Sequence, residues 1–183
     1  MTRCVIVIPA RMGATRFPGK PLVDLLGKPM VQWVVEAAHA SGIAERVVVA
    51  APDQEIIERV QGFGGEAILT RHDHVTGTDR IAEVAQLIEA EVYVNVQGDE
   101  PLIQPSSIAA CAEPLLNDSG IEMGSVYSLC PEDEYDNAAV VKVVTDLAGF
   151  AMYFSRPPIP FERNPRIAPV KKHVGLYAYS RDA

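Results

Sequence analysis

Apolar residues follow two rhythms along the first part of the chain. Short unbroken runs alternate with longer stretches in which apolar residues recur every three or four positions. Cys4–Ile8, Arg46–Ala51, Glu66–Thr70 and Glu91–Val96 are of the first kind and predict strands, the longer ones covered on both faces as in a parallel sheet. Between them lie helical patterns. Pro29 opens one whose inner face is Met30, Val31, Val34, Val35 and Ala38, with Trp33 beside it and Ser41-Gly42 as its stop. Pro52-Asp53 begins a second, which ends at the glycines 62, 64 and 65. A third carries Ile81, Val84, Ala85 and Ile88, with Thr78 or Asp79 as its N-cap, and a fourth spans Ser106–Asn117. This β-α-β-α-β alternation predicts an α/β fold with a mostly parallel sheet and right-handed crossovers.

From Ile121 the rhythm changes. Met123–Leu129, Ala139–Thr145 and Phe150–Ser155 read as strands, with Asp146–Gly149 as the hairpin turn between the last two. A proline-rich loop follows, then a last strand over His173–Tyr179. The pattern divides the chain into an α/β part at 1–120 and an antiparallel extension of the same domain at 121–183. An exposed extension of this kind is suited to pairing two subunits, so a homodimer is expected.

Composition narrows the classes. Apolar residues make up 48% of the 183, enough for a sizeable core. No apolar run approaches the roughly 18 residues of a membrane span, and the N-terminal run is too short and strand-like for a signal segment. Cys4, Cys111 and Cys130 show no metal-ligand spacing, which predicts reduced thiols packed as small hydrophobes in a cytoplasmic protein. The net charge of −8 is unevenly spread: residues 1–28 and 156–183 each carry +4, and 29–155 carry −16. A nucleic acid would meet repulsion nearly everywhere, whereas a small anion would find a local positive pocket.

The N-terminal cations sit where α/β folds bind ligands, in the loop after the first strand. Arg11, Arg16 and Lys20 share that loop with Gly13 and Gly19. The Walker loop is excluded because Pro21 follows Gly19-Lys20, leaving no hydroxyl for a metal. The dinucleotide fingerprint is excluded by the distance between the two glycines. Strand Glu91–Val96 runs into Gln97-Gly98-Asp99-Glu100-Pro101, where Asp99 can hold a cation such as Mg2+. A basic loop facing such an aspartate suits attack on a nucleotide α-phosphate with pyrophosphate leaving, since fixed cations stabilise the charge that grows on the leaving group. His72-Asp73-His74 places two histidines on one side of an extended segment, but without a third ligand it is weak grounds for zinc.

These residues resemble the sugar-acid cytidylyltransferases. The resemblance runs along almost the whole chain, through Ile8-Pro9-Ala10-Arg11, Thr15-Arg16-Phe17-Pro18-Gly19-Lys20-Pro21-Leu22, Gly27-Lys28-Pro29-Met30 and Thr70-Arg71. It continues in Asp73-His74, Gly77-Thr78, Asn95–Pro101, Val141-Lys142-Val143-Val144, Tyr153-Phe154-Ser155-Arg156 and His173-Val174-Gly175-Leu176-Tyr177. It implies a Rossmann-like nucleotide-diphospho-sugar transferase fold. It also implies transfer of CMP from CTP to the anomeric hydroxyl of an acidic eight-carbon sugar, first of all 3-deoxy-D-manno-octulosonate (Kdo), with Mg2+, in lipopolysaccharide biosynthesis. A sialic-acid-like or 8-amino sugar as acceptor, and a CTP-binding module without turnover, are the alternatives.

By matched motifs, the resemblance makes Arg11, Lys20 and Asp99 the catalytic set, with Asp99 as metal ligand. It assigns Ala10, Arg11, Arg16, Lys20, Arg71, Gly77 and Thr78 to the nucleotide, and Gln97, Arg156, Arg163, His173 and Tyr177 to the sugar and its carboxylate. Three departures from the family pattern stand out. Ala14 replaces a serine, Lys172 replaces an arginine after a shortened loop, and the part of the pattern supplying a second metal aspartate and a further sugar-contacting acid has no counterpart in these 183 residues.

Overall fold

The computed structural model describes residues 2–13, 17–161, 163–164 and 168–183. Arg16 and Ala14 therefore lie outside the described residues. The chain forms two compact units, one of residues 1–124 with 176–183 and the other of 125–175. The expected cut at 120 falls close to this division. Residues 176–183, expected in the extension, instead sit in the first unit, for a reason seen in strand pairing below.

In the first unit, β1 (Thr2–Pro9) is buried from Cys4 to Ile8, as the unbroken apolar run requires. A 3-10 turn (Lys20–Leu22) and a small hairpin, β2 (Asp24–Leu25) with β3 (Lys28–Pro29), lead into α1 (Met30–Ala40). The buried face of α1 is the expected five residues. Trp33 is half-buried beside them; its indole N–H donates to Leu25 O at 2.9 Å and its ring carries the Lys28 ammonium at 4.7 Å. Next come β4 (Arg46–Ala51), α2 (Gln54–Gly62), β5 (Glu66–Leu69), α3 (Gly77–Leu87), β6 (Ala90–Asn95) and α4 (Pro105–Asn117).

β5, β4, β1 and β6 lie side by side in that order, all parallel. Residues 177–180 of β10 (Lys171–Ser180) pair antiparallel with β6, from Tyr177 opposite Asn95 to Ser180 opposite Val92. That pairing makes the chain's last stretch part of the first unit. Alternation along β1 sends Val5 and Val7 into a cluster with Ile81 and Val84 of α3 and Ile88 just past its end. α1 and α4 pack on each other and on β1. β1 neighbours β4 on one side and β6 on the other, so connections leaving β1 and β6 run in opposite directions. This is the topological switch point at which open α/β sheets form a crevice.

In the second unit, β8 (Lys142–Thr145) and β9 (Ala151–Ser155) form the expected hairpin, closed by Asp146 Oδ1 accepting from the N–H groups of Ala148 and Phe150. Gly149 takes the left-handed φ of 94° that the turn needs. Residues 125–129 of β7 (Met123–Leu129) and 171–172 of β10 add further strand pairing. The strand expected from Ala139 begins only at Lys142. Asn137 captures the segment in a turn, its Oδ1 accepting from Ala139 N and its carbonyl from Val140 N. The Lys142 ammonium, fully buried, donates to the carbonyls of Asn137 (3.0 Å) and Val140 (2.9 Å).

Candidate active site

The crevice at the carboxyl ends of β1 and β6 holds a cleft of about 250 Å³. Pro9, Ala10 and Arg11 enter from β1, Lys20 and Pro21 from the 3-10 turn, and Gln97, Gly98 and Asp99 from β6. His74 to Gly77 and Arg80, from the loop before α3 and its first turns, complete the lining. Of the residues singled out in the sequence, Ala10, Arg11, Lys20, Gly77, Gln97 and Asp99 come together here.

The walls are held by close backbone approach. A Cβ on Gly98 would stand 2.9 Å from Pro9 O and 3.4 Å from Ala10 Cβ and Ile8 Cγ2. A Cβ on Gly77 would meet Pro9 Cγ at 3.2 Å. Pro9 is thus pinched between two glycines, and the ends of β1, β6 and α3 converge. On the far side of Arg11, Met12 N donates to Asp53 Oδ2 at 2.8 Å, and Gly19, left-handed at φ 72°, returns the loop by donating its N–H to Met12 O at 3.0 Å.

Lys20 Nζ donates to Asp99 Oδ2 at 2.6 Å. The contact joins the basic loop to the end of β6 across 79 positions of sequence. Beside it, the Glu100 carboxyl is pushed above its ordinary range by burial and then by the Asp99 charge, with Lys20 opposing. Gln97 Nε2 donates to the buried Asn95 Oδ1 at 3.0 Å, which fixes its amide. His74 is held by Glu83, which also accepts from Arg71 N at 3.0 Å. Burial pushes the Glu83 carboxyl up, but the hydrogen bonds from His74 and Arg71 N, together with electrostatic attraction from the same two residues, hold it below its ordinary range.

α3 starts with a capping box at Thr76, not at Thr78 or Asp79 as expected. Asp79 N donates to Thr76 Oγ1, and Asp79 Oδ2 accepts from Thr76 N at 2.8 Å. An acid three residues into a helix is the reciprocal partner in such a box, and alone it mimics a cap. Thr78 is an exposed second residue of the helix and does not line the cleft. Nor does the Arg71 side chain, which forms a two-point ion pair with Asp73. His72 is exposed, and with Asp73 and His74 engaged elsewhere the triplet gathers no metal cluster among the described residues.

Gln97 aside, the residues expected at the sugar are spread over both units. Tyr177, in the first, stacks on Tyr179 at 6.3 Å, and burial raises its phenol above the usual range. In the second, Arg156 Nη1 donates to Ala138 O at 2.9 Å, and Arg163 is exposed in the loop. His173 packs edge-on against Phe154 at 5.2 Å with Nε2 3.0 Å from Ser125 Oγ; burial lowers its pKa. Lys172, where the family pattern has arginine, pairs with Glu134.

Sequence reasoning missed His74, Val75, Thr76 and Arg80 as lining residues. For Arg80 a signal existed, since it lies four positions before Val84 and so on the buried stripe of α3.

For a metal, the donor set fits Mg2+ in one respect. Asp99 presents a carboxylate into a cationic cleft, and Mg2+ is commonly held by one or two carboxylates together with substrate phosphates and water.

A family model described as cytidylyltransferase matches residues 5–182. The chain is 46% identical, over its whole length and 74% of the relative, to 3-deoxy-manno-octulosonate cytidylyltransferase of Escherichia coli. It is 50% identical, over 96% of this chain and 74% of the relative, to the protein of that name from Syntrophotalea carbinolica. It thus spans about three quarters of the length of these relatives. A solved structure of CMP:2-keto-3-deoxy-manno-octonic acid synthetase complexed with CTP superposes with a TM-score of 0.95 at 45% identity, over 98% of this chain and 75% of that one. A 4-diphosphocytidyl-2C-methyl-D-erythritol synthase from Anaerococcus prevotii shares the fold at 8% identity, with a TM-score of 0.62.

Proposed function

The chain belongs to the cytidylyltransferase family, and from that premise we propose that it transfers CMP from CTP to Kdo, releasing pyrophosphate. The observation that carries this reading is the cleft at the β1/β6 switch point, where Arg11 and Lys20 face Asp99 in a chain so similar to Kdo cytidylyltransferases.

In this reading the anomeric hydroxyl of the sugar attacks the α-phosphorus of CTP and the bond to the β-phosphate oxygen breaks. Negative charge grows on the departing pyrophosphate. Arg11 and Lys20 are fixed cations placed to meet that charge, and they favour the transition state over bound substrate because the charge is largest there. The Asp99 contact aims the Lys20 ammonium, which otherwise swings on a four-carbon stem. Ala10 and Gly77, brought close by the Pro9 contacts, supply backbone for the nucleoside. Mg2+ held by Asp99 would neutralise phosphate charge and orient the groups. Gln97, Arg156, Arg163, His173 and Tyr177 serve the sugar, the two arginines suiting a carboxylate that a guanidinium grips with two hydrogen bonds.

A homodimer in the cytoplasm completes the proposal. Among the described residues β9 pairs only with β8, and Met152, Tyr153 and Phe154 are exposed at 70%, 63% and 46%, so those residues leave both faces of that strand uncovered. Phe150, just before that strand, is exposed too, as are Tyr127 and Leu129 of β7 in the same unit. An apolar edge of this size is a subunit-pairing surface; sedimentation of the intact chain at twice the monomer mass is the expected result.

The direct test is pyrophosphate release with CTP, Mg2+ and Kdo, alongside a panel of sialic-acid-like and 8-amino sugars. Preferential release with Kdo supports the assignment. Release with another acid sugar alone moves the acceptor, and CTP binding without any release refutes transfer.

A further inference from the structure

One charge in the cleft is left unused by the mechanism above. Arg80 is buried, at 4% exposure, within the early turns of α3. Its Nη1 donates to Thr70 Oγ1 and to Arg71 O, the latter at 3.0 Å. Among the described residues no carboxylate forms an ion pair with it, and Nε and Nη2 have no partner. Yet no buried side-chain nitrogen among those residues is left unsatisfied, so these donors are not sealed in the protein. They open to solvent, and Arg80 is a lining residue of the cleft.

The other charges around it do not compensate it. Lys20 is matched to Asp99, and His74 to Glu83. Glu83 and Asp53 bear on Arg80 from a distance, but Glu83 is engaged by His74 and Arg71 N, and Asp53 by Met12 N. Arg11, the remaining neighbour, is itself positive and close enough to oppose the Arg80 charge. A guanidinium cannot lose its proton to escape burial. Two like charges facing one cleft, one of them buried without a counter-ion, describe a site completed by an anion.

We propose that Arg80 binds the triphosphate of the incoming nucleotide, its unused N–H groups donating to phosphate oxygens beside Arg11. A planar guanidinium fits phosphate with paired hydrogen bonds. The inference rests on the CTP reading above, but its anion chemistry can be tested without turnover. The competing account is that Arg80 only fastens the Thr70-Arg71 loop to α3. That account predicts equal harm to every ligand of the cleft.

The experiment titrates the full chain and its Arg80→Gln and Arg80→Lys variants with cytidine, CMP, CTP and inorganic pyrophosphate by calorimetry, with thermal melting of each. Loss of a hydrogen bond to a charged group predicts CTP and pyrophosphate weakened about 10- to 100-fold in Arg80→Gln, with cytidine changed less than about twofold. Arg80→Lys should recover part of the loss, since it keeps charge but not the fork. Equal weakening of cytidine and CTP, or unchanged pyrophosphate binding, overturns the proposal. Should Arg80→Gln fail to fold, Arg80→Lys decides alone: CTP weakened with cytidine spared supports the assignment, and any other pattern refutes it. Wild-type protein that binds pyrophosphate but releases none from CTP and Kdo would sink the transfer reading and leave the Arg80 comparison to stand or fall by the pyrophosphate arm.

Discussion

Substituting Gly98 by alanine isolates the role of strand convergence in the cleft. No left-handed backbone is required at 98, so the effect is purely one of space. The added methyl must sit 2.9 Å from the Pro9 carbonyl oxygen, which as backbone cannot rotate away, with Ala10 Cβ and Ile8 Cγ2 closing the other sides at 3.4 Å. Relief requires β6 and β1 to part by several tenths of an ångström at the residue before Asp99. Overpacking of this kind costs about 1–3 kcal/mol, which for a chain of this size lowers Tm by about 2–4 °C per kcal/mol. The same shift moves Asp99 relative to Lys20, and misplacement of about 1 Å can cost 10²-fold in rate. Differential scanning calorimetry and pyrophosphate release measure the two effects. Gly77→Ala is the internal control. Its methyl is tight only against the Pro9 ring, at 3.2 Å, which can pucker; it reaches Gln97 Nε2 at an ordinary 3.9 Å, and alanine gains up to about 1 kcal/mol of helix propensity. Its Tm should stay within about 2 °C of the parent's. A Gly98→Ala protein with unchanged Tm and kcat would refute the claim that this contact sets the cleft.

Asp99→Asn should lower kcat by at least about 10²-fold while leaving melting nearly unchanged, because its partly exposed pair with Lys20 contributes little to stability; a near-normal rate would remove Asp99 from its proposed role. Thr76→Ala breaks the capping box of α3 and should cost about 1 kcal/mol, read as a lowered urea midpoint with unchanged slope. The Cys4 and Cys111 thiols are pushed up to about 12, chiefly by burial, so native protein at pH 8 should take up iodoacetamide at half-exposed Cys130 alone, as mass spectrometry would show. With their folded pKa raised from 9.0, the stability these thiols contribute is present below pH 9 and lost as pH climbs towards 12, so urea midpoints should fall across that window.

Most of the first unit was legible because its signals are local. Cys4–Ile8 and Arg46–Ala51 are too apolar to be anything but buried strand, and the five inner residues of α1 follow from spacing alone. The failures share a different cause, competition from a neighbour. Thr76 lost the cap assignment to Thr78 and Asp79 because Asp79, the reciprocal partner that accepts from Thr76 N, is itself a residue type favoured at caps. Ala139–Val141 look like strand, but the Asn137 side chain claims Ala139 N for a turn. Arg71, expected at the nucleotide, carries an ion pair with Asp73 that its sequence did not announce. Lys20 and Asp99 were each visible, but their contact across 79 positions required the sheet order. Nothing local announces that residues 177–180 return to β6.

That return sets a clock on biosynthesis. β6 ends at Asn95, and its antiparallel partners are Tyr177 to Ser180, between 82 and 88 positions further along. At about 5–20 residues per second, a ribosome leaves that side of β6 without its β10 partner for roughly 4–18 s. Until then the newborn first unit carries an open sheet edge beside its most apolar strands, the condition under which edge-to-edge association begins. β10 therefore works as a late-arriving seal, and in the interval before it is added this sheet edge needs protection such as a chaperone gives.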